Sequence, residues 1–244
     1  GVVWTPYDFD GFSASIDFFS IEVEDYIDRL NGNPLYGCFG GLGDGSLSSI
    51  YCDGIERNAD GVLTSLNAGL QNLATHSVEG VDISLSHQVS VLGGTLDLNY
   101  VASYMEEKSY SVGGTSQYVD CVGKANVPIG GEACSRPVMQ LKSRATAGWS
   151  RDWFSAQLTW RHLSDVEDGD DETEYYREYI GAYDYFEVSM SAEVGDHLEV
   201  MLGAKNLFDK GPPQWGWNSW EANTFPNVYD VFGRTIYARL KYTY

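Results

Sequence analysis

No stretch of the sequence stays apolar for the roughly 18 residues that a membrane-crossing helix needs, so no such helix is expected. Positive charge is scarce: 15 Lys and Arg stand against 35 Asp and Glu, for a net charge of −20. That balance excludes a protein that grips nucleic acid through its phosphates. It also argues against a polybasic hold on anionic lipid. The opening residues do not read as a signal peptide. Gly1-Val2-Val3-Trp4-Thr5-Pro6 reads as the interior of something longer, so a mature piece or a fragment is expected. Histidine is sparse, and His76, His87, His162 and His197 are scattered with no serine or cysteine nucleophile and carboxylate in recognisable order. No catalytic residue is assigned, and an enzyme is not expected. The chain has four cysteines, with no C-x-x-C and no nearby histidine set, which removes a zinc site.

Aromatic residues, by contrast, make up 14% of the chain, and apolar residues alternate with polar ones. The closing run shows this best. Ile236, Ala238, Leu240, Tyr242 and Tyr244 share one face; Thr235, Tyr237, Arg239, Lys241 and Thr243 share the other. Seven earlier segments read the same way. They run from about Phe12 to Glu24, Gln71 to Val91, Leu96 to Tyr104, Val138 to Ser150, Phe154 to Arg161, Phe186 to Val194 and Leu198 to Lys205. The connections alternate long and short, with Gly93-Gly94, Arg151-Asp152 and Gly195-Asp196 as the short turns. Residues Val62 to Leu70 read as a surface hairpin or an extension of the second strand. All short turns therefore lie at one end and all long connections at the other.

One face of these strands is almost wholly apolar. The opposite face carries Lys142, Arg144, Arg161, Glu187, Glu193, Glu199, Arg239 and Lys241 deep inside the segments. A soluble half-buried sheet can alternate in this way. Aromatic girdles, long connections on one side and an aromatic C-terminus favour a transmembrane antiparallel β-barrel section, with short periplasmic turns and long extracellular loops. The fold class is all-β, with about eight strands.

Cys38/Cys52 and Cys121/Cys134 each fall inside one long polar connection, which suits two loop disulfides in an oxidising compartment. Each would contribute roughly 3 kcal/mol in the chain-entropy model. For ligand contact the candidates are Trp215, Trp217, Asn218 and Trp220 in the last connection, with Tyr36 and Tyr118 beside the cysteine loops. Indole rings mixed with amides suit sugar rings or an aromatic siderophore. The same rings also suit loop packing or the outer girdle. The run Asp165 to Glu178 holds eight acids and one arginine. Through Asp168, Asp170 and Asp171 it could coordinate calcium, although the spacing is not that of an EF-hand. A cationic ligand or plain solvation are the other readings, and no further cofactor is expected. The inward carboxylates Glu187, Glu193 and Glu199 are expected to pair with Arg161, Lys205 and Arg239 across strands.

The stretch Asn206-Leu207-Phe208-Asp209-Lys210, then Pro212-Pro213, Tyr229-Asp230, Gly233-Arg234 and a terminal aromatic resembles the C-terminus of TonB-dependent outer-membrane receptors. Thr5-Pro6, Cys52 with Arg57 and Gly61, and Gly80-Val81-Asp82 add to the likeness, which covers essentially the whole chain. The resemblance implies a barrel of about 22 strands with a plugged lumen. It also implies active uptake of a scarce solute, driven by the TonB complex through a TonB box on the plug. Eight strands match the last third of such a wall. The plug domain, the TonB-interacting segment and about fourteen strands are not in this chain, which is read over residues 1–244 as the C-terminal part of the barrel. The implied partners are outer-membrane lipid, the remainder of the receptor in the same or a separate chain, the TonB complex, and the barrel assembly machinery, which reads Tyr242 and Tyr244. The C-terminus would be periplasmic. On the tryptophan-rich loop alone, a glycan or other organic nutrient stands slightly ahead of an iron siderophore. The alternative is a small barrel that closes on itself and serves a structural or adhesive purpose.

Overall fold

The structure is a computed structural model that describes residues 1–29, 38, 51–66, 69–112, 118–127, 134–170, 173–216 and 223–244. Its framework is one antiparallel sheet. The wall strands are β1 (Val2–Trp4), β2 (Phe12–Arg29), β5 (Leu70–Val91), β6 (Gly94–Val112), β9 (Leu141–Arg151), β10 (Phe154–Leu163), β13 (Tyr183–Val194), β14 (Leu198–Lys205) and β15 (Thr235–Tyr242), each bonded to the next in that order. The short strands lie in the long connections. They are β3 (Ile55–Arg57), β4 (Leu63–Leu66), β7 (Tyr118–Asp120), β8 (Lys124–Ala125), β11 (Val166–Asp168) and β12 (Tyr179–Ile180). Strands β3 and β4 pair as a surface hairpin within 55–66. The eight expected wall strands are all present, and β1 adds a ninth that alternation over so few residues did not reveal.

Lateral register carries the alternation across the sheet. Leu98, Ala147, Leu158, Val188, Ala204 and Ile236 lie side by side, strand to strand. The next row is Leu96, Trp149, Ala156, Met190, Leu202 and Ala238. Between them on the other face run Gln88, Asp97, Gly148, Gln157, Ser189, Gly203 and Tyr237. A one-residue slip anywhere would swap the faces, so this agreement over many strands is itself strong specification of register. Large side chains in these rows stay exposed: Met190 is 50% and Leu202 58% accessible. Aromatic rings edge this face near the turn end, where Trp149 and Trp153 pack against Phe154 and Trp4 against Phe12. Phe186 and Phe208 meet edge to face nearer the other end. An aliphatic band between aromatic girdles is the outer surface of a membrane barrel.

Short turns join β1–β2, β5–β6, β9–β10 and β13–β14 at one end, where the chain also finishes. The β5–β6 turn is Leu92–Gly93, one residue before the expected Gly93-Gly94. Both residues have positive φ (56° and 70°), as a type I′ hairpin requires. The long connections 30–69, 113–140, 164–182 and 206–234 lie at the opposite end. Strands β2, β5 and β6 have 18, 22 and 19 residues, whereas β14 and β15 have 8 each. A crossing takes about 9–11 residues, so the first strands rise well beyond the membrane on the connection side. Two glycines allow aromatic side chains to lie flat on the inner face. Phe19 covers Gly80 and Tyr237 covers Gly203, in each case where a Cβ would collide with the ring. Among the described residues β15 pairs only with β14, and β1 only with β2. The sheet is an open wall, not the closed eight-strand barrel of the alternative reading.

Candidate functional site

The long connections pack into two apolar clusters. In the first, Cys38, Tyr51, Cys121, Cys134, Val127 and Val138 gather over Tyr110 of β6. Both expected disulfides are formed, Cys38–Cys52 and Cys121–Cys134, with Cα separations of 4.9 and 5.4 Å. Cysteine pairs far apart in the chain thus share one core. In the second, Ala125, Met139, Leu163, Val166, Ile180, Tyr185, Trp215, Phe225 and Tyr229 come together. Connection 113–140 contributes to both clusters. Strands β8, β11 and β12 make a small sheet there, joining it to connection 164–182.

Below this cap the inner wall is polar. Ser15, Ser84, Val101, Arg144, Arg161 and Tyr185 form one lateral row. Arg161 holds the last connection to the wall. Its Nη2 lies 2.5 Å from Asp230 Oδ1, and its guanidinium sits 4.6 Å above the Tyr185 ring. The Asp230 amide donates to the Tyr185 hydroxyl at 3.2 Å. Beside it Tyr229 is buried; burial, then the Tyr185 and Tyr183 hydroxyls, push its phenol well above the usual range. The expected partner of Arg161 was a carboxylate on a neighbouring strand. The connection supplies it instead, because Asp230 approaches from above the sheet. Glu199 pairs with Lys241 at 3.7 Å rather than with Arg239, since Lys241 is its direct register partner.

The turn after β14 shows why its sequence has the form it has. Asn206 is buried with φ 49°, and its side chain closes the loop from both sides. Asn206 Oδ1 accepts from the Lys210 amide at 2.9 Å, and Nδ2 donates to the Lys210 carbonyl at 2.8 Å. Asp209 Oδ1 then accepts from the Arg234 amide at 2.7 Å, tying this turn to the start of β15. Asparagine tolerates positive φ and bonds its own backbone, so no other residue does both as well. Asn206→Ala is expected to cost about 2–4 kcal/mol, from two lost hydrogen bonds and buried backbone groups left without partners. Urea unfolding followed by tryptophan fluorescence measures it. A change under about 0.5 kcal/mol would show that the turn holds without its side chain.

A family profile described as TonB dependent receptor-like, beta-barrel, matches residues 1–207. The chain belongs to this family. Solved structures agree in fold with the receptor wall. A variant ferric enterobactin receptor of Pseudomonas aeruginosa, in complex with enterobactin, is 16% identical with a TM-score of 0.61, covering 98% of this chain and 30% of that one. The siderophore receptor PirA of Acinetobacter baumannii is 14% identical with a TM-score of 0.56, covering 96% and 30%. The FrpB iron transporter of Neisseria meningitidis is 12% identical with a TM-score of 0.52, covering 96% and 29%. The receptor section thus spans about 30% of the length of these structures. No curated protein matches.

Several residues singled out in the receptor sequence take other places. Trp215, expected to stack on a ligand, is only 3% exposed and packs on Phe225 at 5.8 Å between ring centroids. Its indole fills the cap's core because the connection folds back on itself at Thr224–Tyr229. Trp217, Asn218, Trp220, Tyr36 and Asp171 lie outside the described residues. Tyr118 is exposed on β7, bonded in register to Ser111, and shares no cluster with Trp215. Asp168 and Asp170 are near one another but bind protein groups. Asp168 accepts from the Asp170 amide at 2.9 Å and from Asn126 at 3.4 Å, and Asp170 accepts from the Tyr175 hydroxyl at 3.0 Å. Burial raises the Asp168 carboxyl above its ordinary pKa despite these bonds. Among the described residues no three His, Cys, Asp or Glu side chains converge as a metal site would require. Tyr242 and Tyr244 are exposed at the turn end, 6.5 Å apart between ring centroids. Sequence reasoning missed the Asp230 tether, whose only sequence signal was the Tyr229-Asp230 pair.

Proposed function

We propose that this chain forms the closing wall and solute-facing cap of an outer-membrane receptor that imports a scarce solute under TonB drive. The observation that carries the reading is the open wall itself: apolar outside, polar inside, all long connections at one end, and, among the described residues, an unpaired edge on both β1 and β15. The connections face outward and the C-terminus, with Tyr244, faces the periplasm. Edge strands with free backbone groups demand partners. The remaining wall strands of the receptor, from the same or another chain, would supply them, and a plug would fill the lumen. Assembly machinery would recognise Tyr242 and Tyr244. The solute is an organic compound or complex. An iron siderophore now stands level with a glycan, since the buried Trp215 no longer argues for sugar stacking. The hydrogen bonds that Asp168 and Asp170 accept support a structural use of those two carboxylates at the acidic connection.

Uptake tests this reading. Cells carrying the complete receptor should accumulate labelled ferric siderophore or labelled oligosaccharide, and deletion of TonB should abolish it. Uptake that persists without TonB would overturn the proposal. So would a purified chain that forms a closed pore in lipid bilayers without other strands.

A further inference from the structure

We propose that Arg144 and Arg161 form an oxyanion site on the inner wall, taking the carboxylate or phosphate of an anionic solute, with Asp230 as its internal occupant. This deepens the receptor reading and rests on it in one respect, that the inner face borders a wet lumen. The two arginines are direct register partners on β9 and β10. Directly opposed residues have Cβ atoms about 4.5–5.5 Å apart, and like charges so placed repel. Lys142 lies two residues before Arg144 on the same face, and Lys108 lies within electrostatic reach of Lys142. In a chain with 15 basic residues and a net charge of −20, this concentration of cations requires a cause.

Protein groups neutralise little of it. Asp230 meets one guanidinium nitrogen of Arg161, and Arg161 Nε is buried without a hydrogen-bond partner. Arg144 is exposed and, among the described residues, has no ion-pair or hydrogen-bond partner. Asp82 is in the same lateral row as Lys142 but with β6 between them, about 10 Å away at the usual strand spacing. Asp17 is one strand further. Guanidinium groups bind carboxylate and phosphate through paired, charge-assisted hydrogen bonds. An oxyanion bridging Arg144 and Arg161 would therefore take the place Asp230 now holds. Connection 206–234 would then lose its ionic tie to the wall and keep only the Asp230 amide bond to Tyr185 and its apolar packing, so occupancy and the position of the cap are linked.

The test titrates the complete receptor, purified in detergent, with citrate and with inorganic phosphate by calorimetry at low salt. Arg144→Gln leaves the Arg161–Asp230 pair intact and is expected to weaken binding at least ten-fold, with an unchanged melting temperature. Asp230→Asn removes the competitor and is expected to strengthen binding several-fold. Lys205→Gln, a cation elsewhere on the inner face, should leave affinity unchanged. No binding by the unmodified receptor, or equal affinity in Arg144→Gln, overturns the site. An equal loss in Lys205→Gln reduces it to a general field and overturns it as well. Unchanged or weaker binding in Asp230→Asn overturns the displacement. None of these readouts requires TonB, so failure here is separable from failure of uptake.

Discussion

Met190→Arg is expected to destabilise the folded receptor by about 2–4 kcal/mol, the cost of a cation near the middle of the lipid-facing surface. The neighbouring Ser189→Arg is expected to cost less than about 1 kcal/mol, the range for a substitution facing water. Met190 sits between Ala156 and Leu202 in an unbroken apolar row and is 50% exposed. That exposure would be unfavourable in water and is favourable in lipid. Ser189 sits between Gln157 and Gly203 on the opposite face. Adjacent positions on one strand thus separate the two solvents without changing depth. Urea titration in lipid vesicles, read by the mobility shift between folded and unfolded barrel, gives both numbers. Similar costs at the two positions would mean that both faces see the same medium, and the outer band would not be a membrane surface.

The second large effect concerns the cap. Replacing Cys121 and Cys134 by serine is expected to remove roughly 3 kcal/mol from the cap, the loop-closure entropy for a bridge of this span. The wall should keep its stability, because its strands are held by continuous ladders between neighbours. Cys121 and Cys134 are fully buried, and Cys38, Tyr51 and Tyr110 pack with them. Loss of this bridge should therefore loosen connection 30–69 as well as 113–140. Removing Cys38 and Cys52 in addition should cost less than the sum of the separate losses, as expected for residues that share contacts. Limited proteolysis of the purified receptor, followed by mass spectrometry of the released fragments, reads both connections. Cleavage confined to 113–140 after loss of Cys121–Cys134 would show that the two loops are independent.

The wall was readable from sequence because its determinant is local. A period of two places each side chain on a known face, whatever the strand pairs with. Leu198, Val200, Leu202 and Ala204 could be assigned outward before any partner was known. Parity of short and long connections then gave the ends. The cysteine pairs were equally legible, since each bridge closes a short segment. What escaped were contacts between segments distant in the chain. Arg161 and Asp230 are 69 residues apart, and nothing along the chain marks them as partners. The burial of Trp215 escaped for the same reason: an indole among glycines and amides looks exposed until Ala125, Met139 and Leu163, from earlier in the chain, are seen to share its cluster. The very short β1 also needed β2 beside it to be recognised as a strand.

Composition and alternation in this chain therefore determined an amphipathic antiparallel wall, its two faces, its two ends and its bridged connections. Those features follow from covalent spacing and from the opposed solubilities of neighbouring side chains. Tertiary structure alone decided that the connections form two packed clusters, and that the last of them is tied by Asp230 to Arg161, whose register partner is Arg144. Such features depend on which remote surfaces meet. Burial and charge pairing reward that meeting only after the wall has brought the segments to one end.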